Sequence, residues 1–198
     1  MSLVGKIAPD FTATAVFGDN TFKEINFKES IKDKITLLFF WPADFSFICP
    51  TEIIAFDNRL KEFEERGVLV FGASLDSQYV HYAWKNTQRE QGGIVNIKFP
   101  IIADSLGAIS KSYGILAPSK LSFRATFIID QNGYIVHESV NEMSIGRNID
   151  EYLRIIDALK FSQEHGEVCP ANWKKGQETL KTTSESVADF LKKHSNEL

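Results

Sequence analysis

Ile35–Trp41 (Ile-Thr-Leu-Leu-Phe-Phe-Trp) is the longest apolar stretch of the chain, interrupted only by Thr36 and stopped by Pro42. It falls far short of the roughly 18 apolar residues that a membrane span needs. Its continuity, without polar alternation, predicts a strand buried on both faces. Such a strand must be covered by helices, and the next segments supply them. From Pro50 to Arg66 the period changes, with Ile53, Phe56, Leu60 and Phe63 at helical spacing and Gly67 as a stop. Val68–Leu75 reads as a second buried strand. Asp76 and Ser77 can cap a helix whose apolar face carries Val80, Ala83, Trp84 and Thr87. Phe99–Ala103 is a third strand, and Asp104 caps a helix with Leu106, Ile109 and Tyr113, ended by Gly114.

Hairpins flank this core. Thr12–Phe17 and Thr21–Asn26 alternate around Gly18-Asp19-Asn20, and Thr126–Asp130 and Tyr134–Glu138 around Gln131-Asn132-Gly133. Asn148–Gln163 predicts an amphipathic helix closed by Gly166, followed by a polar tail with Cys169, Trp173 and a short helix near Val187–Lys193. Strands alternating with helices indicate an α/β layered fold with parallel central strands, and the late hairpin makes the sheet mixed. The expected organisation is a domain over residues 1–166 and a tail over 167–198.

Charge and motif patterns narrow the function. A net charge of -4 leaves no basic excess for nucleic acid. Residues 1–6 carry no signal-peptide core before Pro9-Asp10, which predicts a cytoplasmic location without membrane attachment. The four histidines lack ligand spacing and no glycine-rich phosphate loop is present, so neither a metal nor a nucleotide or flavin cofactor is expected. The two cysteines, Cys49 and Cys169, form no Cys-x-x-Cys pair, and without a secretion signal a permanent disulfide between them is not expected.

Cys49 stands where the first buried strand turns into a helix. Pro50 suits the first helical position, which puts Cys49 at the N-cap, facing unpaired backbone N–H groups and the positive end of the helix dipole. Both favour thiolate over thiol.

These residues carry a resemblance. Pro42-x-x-x-Ser46-x-x-Cys49-Pro50-Thr51-Glu52 resembles the active-site signature of the peroxiredoxins, and Glu167-Val168-Cys169-Pro170-Ala171-Asn172-Trp173 resembles the resolving segment of their typical 2-Cys group, of the bacterial alkyl hydroperoxide reductase C type. Position 46 departs from the pattern: Ser stands where Thr is commoner, keeping the hydroxyl and losing the methyl. The resemblance implies a thioredoxin-like fold with an N-terminal hairpin extension and a thiol peroxidase. Cys49 is then the peroxidatic nucleophile and Cys169 the resolving thiol, acting across a subunit boundary. Ser46 bonds the peroxide and the sulfur, Pro42 shields the pocket, and Arg124 is the pocket arginine, supported by Glu52 and Arg147. It further implies a thioredoxin-like or flavoprotein reductant and a homodimer assembling into a decamer. A holdase chaperone or peroxide sensor is the competing reading, disfavoured by the complete set of pocket residues. Gly92-Gly93-Ile94-Val95 and Asp189-Phe190 only half match the Gly-Gly-Leu-Gly and Tyr-Phe elements of easily inactivated relatives, which implies a fairly robust enzyme.

Overall fold

The computed structural model describes residues 2–196 and Leu198, which divide between Arg147 and Asn148 into two compact units. The first unit runs β1 (Thr12–Val16), β2 (Phe22–Asn26), α1 (Phe27–Ser30), β3 (Ile35–Phe40), α2 (Cys49–Asn58), α3 (Leu60–Glu65), β4 (Val68–Ser74), α4 (Gln78–Lys85), β5 (Ile101–Ala103), α5 (Ala108–Ser112), β6 (Arg124–Ile129) and β7 (Ile135–Asn141). The seven strands form one mixed sheet in the order β2-β1-β5-β4-β3-β6-β7. β3, β4 and β5 are parallel, with Ile35 opposite Val68 and Gly72 opposite Ile101, whereas β6 runs antiparallel to β3, with Phe127 opposite Leu38. The α/β class with a parallel centre and a mixed sheet is therefore as the pattern predicts. All six residues of β3 are buried, as a strand covered on both faces requires. α3 packs on β4, and α4 on β1 and β5. No described helix is long and apolar enough to cross a membrane.

The end of β3 sets the position of everything that follows. Trp41 is fully buried, and it fits because β4 carries Gly72 beside it: a Cβ there would fall 2.6 Å from the indole Cζ3.

Several local expectations are corrected. The helix expected over Pro50–Arg66 breaks at Arg59, whose N–H turns back to the Phe56 carbonyl at 3.2 Å and leaves the α-helical register. The third strand starts at Ile101 rather than Phe99, since Pro100 has no N–H to offer a ladder. α5 starts at Ala108. The Asp104 carboxylate does cap it, accepting from Ile109 and Ser110, and Leu106 is left 95% exposed in the preceding turn. On α4 the inward residues are His81, Trp84 and Lys85, while Ala83 is exposed. Burial pushes the Lys85 ammonium down to about 8 while its Nζ donates to the Ile97 carbonyl. Gly92 and Gly93 have local reasons to be glycine. Gly92 has φ +78°, and a Cβ on Gly93 would lie 2.0 Å from the Thr87 carbonyl oxygen.

The second unit holds α6 (Ile149–His165) and α7 (Ser184–His194). Asn148 caps α6 by accepting from the Asp150 N–H, and Gly166, at φ +68°, ends it. Tyr152, Leu153 and Ile156 form its buried face. Between the helices the chain is irregular, with one bridge, Val168 to Leu180.

Candidate active site

The loop 41–48 carries the chain from β3 into α2, and its geometry corrects the expected cap. Ile48 is the N-cap. Its carbonyl accepts from Thr51 at 3.0 Å and Glu52 at 3.3 Å, so Cys49 is the first residue of the helix and Pro50 the second. The sulfur still stands in the first turn, where the positive end of the helix dipole favours an anion. Cys49 is fully buried.

Arg124, opening β6, reaches it from the side. Its Nη1 lies 3.2 Å from the Cys49 sulfur and 2.8 Å from Glu52 Oε2, and its Nε donates to the Met143 carbonyl at 2.7 Å. Arg147 clasps the same carboxylate with Nε at 2.9 Å and Nη2 at 2.8 Å, and its backbone N–H donates to Oε1 at 3.0 Å. Its Nη1 donates to the carbonyls of Phe40 and Ala125, both at 2.9 Å. The guanidinium also lies over the Phe39 ring, 5.1 Å from the centroid. Glu52 sits one helical turn after Cys49, so helix geometry alone places carboxylate and sulfur on one side.

These side chains are at most 5% exposed, and their charges do not cancel. Two guanidinium groups face one carboxylate, a residual of one positive charge in a buried nest. A Cys49 thiolate, 3.2 Å from Arg124, removes it. At the rim, exposed Glu142 is held below the usual carboxylate range, chiefly by hydrogen bonds from Ser144 and in small part by Arg124.

Pro42 is buried and Ser46 half-buried in the loop. The Ser46 hydroxyl donates to the Ala43 carbonyl at 2.7 Å rather than to the sulfur, which leaves its oxygen lone pairs to accept. Thus Cys49, Glu52, Arg124 and Arg147 come together as one bonded set, with Pro42 and Ser46 in the loop that leads into it.

Cys169 has different surroundings within the second unit. It is half-buried on irregular backbone, with its sulfur 3.7 Å from the Ala158 carbonyl. Burial pushes its thiol upward, against the opposing field of Arg154. Arg154 in turn donates to the Trp173 carbonyl, and Trp173 is buried against Phe161.

A sequence profile described as the AhpC/TSA family matches residues 4–138, about two thirds of the chain. The chain belongs to this family and is a peroxiredoxin. A second profile, the C-terminal domain of 1-Cys peroxiredoxin, matches residues 158–193 of the peroxiredoxin chain. Alkyl hydroperoxide reductase C of Helicobacter pylori is 48% identical over 197 residues, 99% of this chain and 100% of that one. Peroxiredoxin-1 of Gekko japonicus is 45% identical over 96% of each chain. The crystal structure of reduced Plasmodium vivax 2-Cys peroxiredoxin superposes with a TM-score of 0.94 at 49% identity, covering 97% of this chain and 100% of that one. These relationships support both the thioredoxin-like fold and the alkyl hydroperoxide reductase C type read from the sequence. The peroxiredoxin is a thiol peroxidase, an oxidoreductase.

Two groups of the loop's surroundings have no counterpart among the residues expected from the sequence. His81 and Asp44 are buried and bonded to each other, Nδ1 to Oδ2 at 2.7 Å. The available signal was Trp84: fixing that residue inward also turns inward the residue three before it on α4.

Proposed function

We propose that Cys49 is the peroxidatic nucleophile and that the charge balance of its nest is what activates it. The carrying observation is the buried Arg124–Glu52–Arg147 set, one anion short of neutrality, with a guanidinium 3.2 Å from the sulfur. The Cys49 thiolate attacks the terminal oxygen of a hydroperoxide, the O–O bond breaks, and the departing alkoxide or hydroxide takes a proton to leave as alcohol or water. Arg124 stabilises the thiolate and donates to the oxygen that gains charge. Glu52 and Arg147 hold Arg124 in place. Ser46 accepts the peroxide O–H, and Pro42 screens the pocket from water.

Cys169 of a partner subunit is the resolving thiol. It condenses with the Cys49 sulfenic acid, releasing water and forming an intersubunit disulfide, which a thioredoxin-like or flavoprotein dithiol then reduces. This reading requires at least a homodimer, and we take the assembly to be a decamer. Phe47, 95% exposed, and half-exposed Phe45 provide apolar surface suited to burial against another copy. Residues 1–166 form the peroxidase domain and 167–198 the tail that delivers Cys169, in a cytoplasmic enzyme that acts on hydrogen peroxide and organic hydroperoxides.

Peroxide consumption coupled to a thioredoxin system tests the whole cycle. Turnover by the wild type, together with a reduction-sensitive dimer on denaturing gels, is the expected result. A monomeric oxidised band with an internal disulfide contradicts the intersubunit step.

A further inference from the structure

His81 is fully buried with both ring nitrogens engaged: Nδ1 lies 2.7 Å from Asp44 Oδ2 and Nε2 lies 3.2 Å from the Ile102 carbonyl oxygen. A carbonyl only accepts, so Nε2 carries a hydrogen. The short Nδ1–Oδ2 contact then needs one further proton, shared between imidazole and carboxyl. The pair is neutral as a unit whichever group holds that proton. Asp44 Oδ1 accepts from the Trp41 indole at 2.8 Å, while the nearby Ser74 hydroxyl donates to Asp76 Oδ2 at 2.7 Å. The Asp44 backbone N–H donates to Asp76 Oδ2 at 2.8 Å. Burial pushes the Asp44 carboxyl upward, against the pull of the His81 hydrogen bond, and the Asp76 charge acts in the same direction as burial.

Asp44 lies inside the loop that leads into Cys49, whereas His81 belongs to α4 and Ile102 to β5. The next residue, Phe45, has φ +52°, a left-handed conformation unfavourable for a bulky side chain, and its ring rests on Trp84 at 5.7 Å. Such a conformation persists only when the surroundings over-determine it, and the bonds made by Asp44 do so. Because Cys49 is fully buried, a second protein thiol reaches its sulfur only if the loop and the first turn of α2 open.

We propose that Asp44 and His81 are positioning residues that latch the loop 42–48 closed, and that this latch sets how the Cys49 sulfenic acid divides between a thiol and a second peroxide. The proposal rests on the reading of Cys49 as the nucleophile. When the loop opens, Cys49–SOH and a thiol give the disulfide and water. While it stays closed, the sulfenate and a second hydroperoxide give the sulfinate and one alcohol or water. A tighter latch keeps the pocket assembled for the first oxidation and raises the share lost to the second.

The test uses reduced full-length protein and hydrogen peroxide, with wild type, His81→Ala, Asp44→Ala and Asp44→Asn compared. Stopped-flow fluorescence follows the first oxidation, and mass spectrometry gives the ratio of sulfinic acid to disulfide at Cys49 after excess peroxide. In His81→Ala and Asp44→Ala the ratio should fall about tenfold, with a slower first oxidation, as loss of a buried hydrogen-bond network predicts. Asp44→Asn can still donate to a bare Nδ1 and accept from Trp41. Its ratio should fall less, and it tests the latch if the alanine variants fail to fold. In wild-type protein, ring nitrogen NMR should show hydrogen on His81 Nε2. A ratio unchanged in the variants that fold, or a bare Nε2, overturns the latch. Peroxide consumed by wild type with Cys49 still a thiol removes the nucleophile assignment and the latch together, whereas normal Cys49 oxidation with an unmoved ratio removes only the latch.

Discussion

Cys49 and Cys169 share a side chain and little else. Cys49 begins a helix, is fully buried, and touches a guanidinium held by a carboxylate and a second guanidinium. Cys169 is half-buried on irregular backbone, with burial raising its thiol and Arg154 acting against it. The contrast shows what each proposed task demands. An attacking sulfur needs its charge compensated before the substrate arrives, which requires rigid, buried partners, here including two arginines distant in sequence. A resolving sulfur needs reach, and it can stay protonated until the sulfenic acid is presented. The two sites therefore answer differently to mutation and to pH.

The sharpest break is between the cysteines themselves. Cys49→Ser should abolish turnover and the first reaction with peroxide, whereas Cys169→Ser should still spend one equivalent and then fail to recycle through thioredoxin, as single-turnover and coupled peroxide assays would show. Arg124→Ala should slow the first oxidation by about 10²–10³-fold, the range for losing one positioned donor to a developing charge, with Arg124→Lys recovering part of it in stopped-flow measurements. Glu52→Ala leaves two buried guanidinium groups without their carboxylate, and denaturant unfolding should register a loss of about 3–5 kcal/mol. No comparable loss is expected from replacing Cys169.

The pH dependence sharpens the same contrast. Because burial raises the Cys169 thiol, it is mostly protonated at neutral pH, and its thiolate fraction grows as pH rises. The disulfide-forming step, followed by quenching and gel analysis, should accelerate about tenfold per pH unit between about pH 6 and 8. A flat profile would place a different thiol, or a different step, in control.

Much of the fold was legible because it is written locally. The nearly continuous apolar run of β3 and the Asn-Gly turn before β7 need only neighbouring residues to be read. Boundaries shifted where one backbone group decided them, as when the Ile48 carbonyl took the first helical bond and moved Cys49 from cap to first residue. The nest was legible only through the resemblance, since Arg124 and Arg147 lie 72 and 95 residues from Glu52 and no spacing rule connects them. His81 and Lys85 were passed over for a further reason. Amphipathic patterning assigns polar side chains outward, and it has no means to register partners such as Asp44 or the Ile97 carbonyl, contributed by other segments.

The central claim is that the charge-balanced nest makes Cys49, and not Cys169, the sulfur that meets peroxide. The most direct measurement adds one equivalent of hydrogen peroxide to fully reduced protein in the presence of a sulfenic-acid trap, then reads both cysteines by mass spectrometry. The trap should be found on Cys49, with Cys169 a free thiol or in a disulfide with Cys49. A trapped Cys169 beside an unmodified Cys49 would contradict the claim outright.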